Sequence, residues 1–456
     1  MGNIAIVKNQ NYIVDIIDNG IEGEGIARID NFTVFIPGAI KGERVKILIV
    51  KVLTSYAFGK ILEIIEPSTK RVELDCATYK RCGGCNLRHI DYEETLNIKK
   101  DIVQNLVNKT LKNKIEVEQV LGMGNPYHYR NKAQYPVGIG KDGKPVMGVF
   151  ANRTHEIIPI EKCFIQDESV EEVAKFIYQF AIKNGISVYN EANQTGILRH
   201  IVVKIGKQTN EIMAILVVNG RNLPHEDKLV KELLGKFENI KTIVKNINTK
   251  NTNVILGNEN INLYGEGYIT DILGDFTFKI SPLSFYQVNP IQAEALYNIG
   301  VEEAGITKED TVFDLYCGIG TISIFMSKYA KKVYGIEIIE EAIKMAKENA
   351  KLNDIENTEF IAGDVQIVLD NLINKKKVIP DFVMIDPPRK GLDKTSIDNI
   401  LSIKPKKIVY ISCNPATLVR DLALLEEVYE VEKIKPVDMF PFTSHVEVVS
   451  VLSISY

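Results

Sequence analysis

Val312-Phe313-Asp314-Leu315-Tyr316-Cys317-Gly318-Ile319-Gly320-Thr321 reads as an apolar strand that runs into a Gly-x-Gly turn and then a helix. The glycines let backbone approach a ligand closely. Nineteen residues after Gly318, the next strand, Val333-Tyr334-Gly335-Ile336-Glu337, ends in an acid. A carboxylate there can accept hydrogen bonds from both ribose hydroxyls of a nucleoside. The third glycine of a dinucleotide fingerprint is missing, so the nucleoside of S-adenosylmethionine fits the turn better than NAD. Outward from this stretch, the β runs Thr311–Leu315, Lys332–Glu337, Thr358–Ile361, Phe382–Ile385 and Lys407–Ile411 alternate with helix candidates such as Ile339–Leu352 and Ala416–Glu426. That alternation predicts an α/β, Rossmann-like doubly wound domain over 285–456, with its ligand at the carboxyl ends of parallel strands.

More polar side chains fall on the same rim. Asp364 ends the third strand, where it either meets an adenine amino group or caps the following helix. Asp386 ends the fourth, and Pro387-Pro388 stiffen the exit behind it. A related Asn/Asp-Pro-Pro-aromatic turn serves amine methylation, but Arg389 stands here in place of the aromatic. Cys413 follows the fifth strand in Ser412-Cys413-Asn414-Pro415, just before a helix. The positive end of that helix is expected to lower the thiol pKa. A thiolate that adds to C6 of uracil turns the poorly nucleophilic C5 into an enolate carbon able to take a methyl group. A base must then remove the C5 proton so that the thiolate can leave. Glu447, an acid inside the apolar run Val446–Val449, is the expected base, because burial raises its pKa. His445 is the competing candidate.

Residues 1–66 hold short Val- and Ile-rich β segments separated by Gly20, Gly23, Gly25 and Pro37-Gly38, which suits a small OB-like barrel. Residues 67–284 form a central α+β domain. It opens with Cys76-x5-Cys82-Gly83-Gly84-Cys85 and later carries Cys163. Four thiolates suit zinc or an iron–sulfur cluster, and three clustered ligands with one remote lean toward [4Fe–4S]. The stretch 91–111 reads as an amphipathic helix. The 456-residue chain carries 55 basic and 59 acidic residues, a net charge of −4, so any nucleic acid must be held by local patches. With 45% hydrophobic and 25% charged residues it is of globular composition, and no stretch is apolar enough for a membrane span. No export signal is visible, which makes a cytoplasmic location the default expectation and disulfides unexpected.

Taken together, the motifs resemble the RNA (uracil-C5)-methyltransferases, in the branch acting on 23S ribosomal RNA. The resemblance covers nearly the whole chain. Gly23-x-Gly25-x-Ala27, Phe35-Ile36-Pro37-Gly38-Ala39 and Gly42-Glu43-x-Val45 are similar to a TRAM domain, an OB-like RNA-binding module. Asp314–Gly318, Asp386–Arg389 and Ser412–Pro415 match the family in order and distance. The resemblance implies Cys413 as nucleophile and Glu447 as proton acceptor. It implies Gln287, Tyr316, Glu337 and Asp386 as S-adenosylmethionine contacts, beside Gly318 and Asp364 from the reading above. Cys76, Cys82, Cys85 and Cys163 correspond to ligands of a [4Fe–4S] cluster, and the helix within 91–120 to one that packs back on the catalytic domain. The implied partner is RNA, 23S ribosomal RNA first, with neither a membrane nor an obligate protein partner.

A uridine in folded RNA must leave its stack to meet a thiolate. Arg130, Lys132 and Arg389, interleaved with Tyr127, Tyr129 and Phe285, are the candidate RNA contacts. Residues 1–66 are not basic, with seven Lys/Arg against eight Asp/Glu, so that domain's share of RNA affinity is expected to be modest. Three other readings remain: a transfer-RNA uracil-C5 methyltransferase, an RNA-binding assembly factor with an inactive methyltransferase domain, and an amine-directed RNA methyltransferase. A radical methylase is disfavoured because no Cys-x3-Cys-x2-Cys run occurs.

Overall fold

Seven strands build the C-terminal sheet. In chain order they are β1 (Thr311–Leu315), β2 (Lys332–Glu337), β3 (Thr358–Ala362), β4 (Phe382–Ile385), β5 (Lys407–Ser412), β6 (Tyr429–Val437) and β7 (Glu447–Ile454). Their order across the sheet is β3-β2-β1-β4-β5-β7-β6. The first five are parallel, as their alternation with helices predicts. The last two form an antiparallel hairpin, with β7 seated between β5 and β6. The strand that starts at Glu447 is therefore interior and not the edge. This computed structural model describes residues 6–152 and 154–455; residues 1–5 of the expected N-terminal domain lie outside the described residues.

Successive residues of a strand face opposite sides of a sheet. Val312 of β1 joins a core with the helices Pro290–Ala304, Thr321–Ser327 and Glu340–Leu352. Phe313 and Leu315 join a second core with Lys394–Ile403 and Pro415–Leu425. Both faces are covered, so the β1, β4 and β5 strands are almost wholly apolar and buried.

The second face recruits a helix from far away in the chain. Tyr92–Thr110 is capped by Asp91, whose side chain accepts the Glu94 N–H, and Val103 and Val107 enter the second core. Its Lys99 is fully buried against Asp438, with Nζ 2.5 Å from Oδ1. Lys99 also donates to the Phe440 carbonyl, and Tyr92 donates to the other Asp438 oxygen at 2.8 Å. Asp438 begins the segment that leads from β6 into β7.

The central residues form a seven-stranded mixed sheet running from Glu259–Tyr264 at one edge to Ile157–Pro159 at the other. The helix Glu168–Lys183 packs on one face, and Val202, Met213 and Val217 on the other join the catalytic core. At the N-terminus six strand segments lie in one sheet. Asn11–Asp15 pairs with Arg44–Val52, and Asp18–Asn19 pairs with Gly25–Ile29. Because those two segments are one chain bent at Ile16-Ile17, the sheet closes on itself, as expected of a small barrel. Among the described residues no helix is long and apolar enough to cross a membrane.

The Lys99–Asp438 pair yields a stability test. Lys99→Met strands a buried carboxylate and should cost about 3–5 kcal/mol in urea unfolding, whereas Lys99→Met combined with Asp438→Leu should recover most of that loss. A single variant as stable as the parent would show that the pair bears no such strain.

Candidate active site

The site grows from the ends of the strands. Leu315 of β1 pairs with Ile336 of β2 and Ile385 of β4. The next residues, Tyr316, Glu337 and Asp386, therefore stand side by side at the carboxyl edge of three neighbouring strands. Tyr316 takes φ +70° and Gly318 φ +54°, which turns the chain sharply out of β1. Both the Tyr316 and Cys317 amides donate to the Ile336 carbonyl, fixing that turn to β2. Gly320, at φ +81°, has no room for a side chain: a Cβ would come within 2.9 Å of Phe360. Glu337 accepts from the Gly318 amide at 3.3 Å and from the Ile339 amide at 3.0 Å.

Cys413 and Glu447 meet through the antiparallel register. Ser412 of β5 pairs with Val448 of β7. One step further puts Cys413 opposite Glu447, a pairing in which Cβ atoms sit about 4.5–5.5 Å apart. Glu447 is 4% exposed. Burial pushes its carboxyl up to about 8, with the charge of Asp386 adding to the rise and Arg389 opposing it. Burial likewise holds Asp386 at about 7. Asp314, one face inward, is raised to about 7 by burial although Ser323 donates to its Oδ2 at 2.5 Å; its Oδ1 has no partner. The rim thus holds three desolvated carboxyls.

The thiol corrects one expectation. Cys413 lies before the helix Pro415–Leu425, capped by Asn414, yet its pKa is pushed up to about 11 and not lowered. Burial is the main cause, then the Glu447 charge; Arg389 opposes both. A helix terminus is worth at most about 2 kcal/mol, while full burial moves a titration by as many as about 3–5 pKa units. In the resting protein the sulfur keeps its proton. Burial also raises Cys317, in the turn, well above the usual thiol range.

Gln287 is half-buried, and its carbonyl is held by the Asn131 side chain at 3.0 Å. Asp364, an exposed residue, caps the helix Val365–Asp370 through Oδ1. His445 is partly exposed, and the part of its ring that is desolvated, together with the charges of Arg389, Lys99 and Arg130, lowers its pKa. Phe285 is 69% exposed beside Gln287. Arg130 is half-buried with Nε unpartnered, Tyr129 is buried and Tyr127 exposed. Lys132 is lowered by burial and by Arg130. Arg389 is exposed, and its carbonyl is held by Asn414 and Thr417.

Some members escape a sequence reading. Tyr297 is buried and interacts with Thr321, Gln287, Asp386 and Glu447. Ile338 and Ile367 are 64% and 71% exposed apolar residues beside Glu337 and Asp364. Only their place directly after the rim acids could have marked those two. Buried Lys204, which donates to the Ser281 and Ser284 carbonyls, also went unmarked.

Cys76, Cys82, Cys85 and Cys163 line one cavity of about 70 Å³ with Tyr79, Arg88 and Phe164. Burial raises Cys85 to about 12, followed by the charge of Cys163, and Cys82 and Cys76 add to it. Among the described residues no group of three or more His, Cys, Asp or Glu stands ready to grip a metal ion.

Comparison with known proteins places this geometry. Residues 91–454 match the tRNA (Uracil-5-)-methyltransferase family, and residues 8–62 match the TRAM domain. The chain is 48% identical over 450 residues to an RNA methyltransferase of Clostridium acetobutylicum, covering 98% of this chain and 97% of that one. It is 46% identical over 452 residues to one of Clostridium tetani, covering 99% and 98%. Its fold is similar to that of the Pyrococcus abyssi tRNA (uracil-54, C5)-methyltransferase, solved in complex with S-adenosyl-L-homocysteine. That match has a TM-score of 0.78 and 26% identity over 97% of this chain and 100% of the other. The fold is that of the S-adenosylmethionine methyltransferases with an N-terminal TRAM domain. The chain belongs to the tRNA (Uracil-5-)-methyltransferase family and is an RNA (uracil-5-)methyltransferase.

The buried carboxyl of Glu447 gives a pH test. A raised pKa means that the folded chain holds this proton more tightly than the unfolded one. Its contribution is intact below the ordinary carboxylate range and is lost as pH rises through about 8. Glu447→Gln removes that loss, so at pH 9 it should melt about 3 °C or more above the parent, with the gain shrinking toward pH 5. A gain independent of pH would contradict a desolvated carboxylate.

Proposed function

We propose that this chain transfers the methyl group of S-adenosylmethionine to uracil C5 in 23S ribosomal RNA, with Cys413 as nucleophile and Glu447 as proton acceptor. The observation that carries the reading is the register that sets this thiol opposite a desolvated carboxyl at the ligand edge of the sheet. S-adenosylmethionine, when bound, supplies an electrophilic methyl group. Glu337 would accept from its ribose, Asp364 would accept from the adenine amino group, and Ile338 and Ile367 would offer the ring apolar walls. Gln287, Tyr316, Gly318 and Asp386 complete the pocket, and the orphaned Asp314 Oδ1 behind the turn fits a polar ligand.

Cys413 gives up its thiol proton to solvent and Sγ forms a bond to uracil C6; the electron pair displaced to C5 would take the methyl group, and S-adenosylhomocysteine would leave as the neutral thioether. Glu447 then accepts the C5 proton. The C5–H pair re-forms the C5=C6 bond as the C6–S bond breaks and the thiolate leaves. A carboxyl near 8 suits this proton transfer close to neutrality. Loading the pocket with substrate must shift the thiol toward thiolate, since it is protonated at rest.

The four cysteines would hold a [4Fe–4S] cluster. They share one cavity and feel each other's charge, and Arg88 offsets thiolate at Cys85. Four thiolates suit zinc as well, which makes zinc the alternative. Visible absorption and iron content of anaerobically purified protein test the cluster: zinc without iron would refute it.

The TRAM match and the cysteine cavity favour ribosomal RNA. Similarity to a tRNA-modifying enzyme favours transfer RNA as the second reading. RNA carrying 5-fluorouridine separates them, because fluorine cannot leave as a cation and the adduct is trapped. A 23S fragment should give a covalent protein–RNA adduct on a denaturing gel, and Cys413→Ala should give none. An adduct with transfer RNA alone would move the substrate. None with either would defeat the thiolate mechanism. Arg130→Ala should weaken RNA capture and lower the salt slope by about one.

A further inference from the structure

Phe442 stands five residues before Glu447 at φ +65°, a left-handed setting that a bulky aromatic residue rarely adopts. Such backbone persists only where the surroundings over-determine it, and it gathers at functional sites. Here the surroundings belong to the cysteine loop. The Asn86 and Leu87 amides both donate to the Phe442 carbonyl, at 3.1 and 3.0 Å. The Asn86 side chain grips the next turn: Oδ1 accepts the Ser444 amide at 2.8 Å, and Nδ2 donates to Ser444 Oγ at 2.9 Å. The same Nδ2 donates to the carbonyl of Glu22 in the N-terminal barrel at 2.6 Å. The Phe442 ring lies 4.5 Å under the Arg88 guanidinium, which Asp75 holds through two bonds of 2.6 Å. Asn86 follows Cys85 directly and touches neither the thiol of Cys413 nor the carboxyl of Glu447.

We propose that Asn86 is a positioning residue for the elimination step, fixing Phe442–Ser444 so that β7 starts with the Glu447 carboxylate aimed at the C5 proton. This joins the cysteine loop and the N-terminal barrel to one step of catalysis. It rests on Glu447 being the proton acceptor. A misplaced base leaves thiol addition and methyl transfer intact but delays proton removal, so the methylated Cys413–C6 adduct should build up on ordinary uridine.

The test uses the full-length protein, the RNA captured above with ordinary uridine, and S-adenosylmethionine carrying a labelled methyl group. Asn86→Ala should slow turnover about tenfold or more. It should also accumulate labelled protein–RNA adduct, with RNA affinity and the KM for S-adenosylmethionine within about twofold of the parent. Asn86→Asp keeps an oxygen for the Ser444 amide and should restore most of the release rate. Glu447→Gln is the reference and should accumulate adduct strongly. If Glu447→Gln accumulates adduct and Asn86→Ala does not, the role of Asn86 is overturned and the reading of Glu447 stands. If Glu447→Gln accumulates none, that reading fails first. Melting temperatures are read alongside; should Asn86→Ala melt early, Asn86→Thr takes its place with the same two outcomes.

Discussion

A lysine ammonium and an aspartate carboxylate, both wholly removed from water, join the helix Tyr92–Thr110 to the segment that enters the last strand. Such a pair is a poor way to gain stability, since desolvating two charges offsets most of their attraction. What it gives is position. An apolar pair could slide by a rotamer; Lys99, Tyr92 and the Asp438 oxygens satisfy one another in one arrangement. Gln292 adds a bond to the Asp438 carbonyl and another to Leu121. From this anchor the chain runs nine residues to Glu447, and the register of β7 against β5 then decides what faces Cys413.

The same burial that builds the site sets its resting electrostatics. Asp314, Asp386 and Glu447 all hold protons more tightly than free carboxylates, and Cys413 more tightly than a free thiol. Each ionised form would worsen its neighbours, so the pocket rests close to neutral. A cationic cofactor would relieve the acids, because a positive charge beside them favours the carboxylate forms. Cofactor arrival would then shift these acids toward the ionised forms that the proposed proton acceptor needs.

Much of the catalytic sheet is legible in sequence, because parallel strands buried on both faces must be apolar runs with helices between them. The first strand is foreseen to the residue, and Phe382–Ile385 likewise. The hairpin is harder. Tyr429–Val437 alternates with Glu and Lys and lacks the signature of a buried strand, so the interior place of β7 is visible only once β6 is paired. In the barrel, Gly25–Ile29 hides among glycines that read as turns. Glu447 and Cys413 stand out as polar residues at the ends of apolar runs. Their mutual register does not, because it depends on the turn between β6 and β7, which hydrogen bonds from residues 146 to 358 positions away hold in shape. The thiol's pKa was misjudged because a helix terminus is visible in sequence and burial is not.

An acidic chain must hold an anionic polymer with few cations to spare. Many of its lysines and arginines are neutralised at home: Lys207 by Asp167, Lys245 by Glu226, Lys433 by Glu118 and Glu303. Arg130, Lys132 and Lys204 differ. Lys204 sits wholly within the protein, donates only to carbonyls, and is lowered to about 7 by burial and then by Lys132. Lys132 is lowered in turn by burial and Arg130. Lys204 depressed by Lys132, and Lys132 by Arg130, are an electrostatic cost to the folded chain. A phosphate placed beside Arg130 and Lys132 would offset part of that cost, which is the physical reason for proposing RNA contacts there despite the net charge.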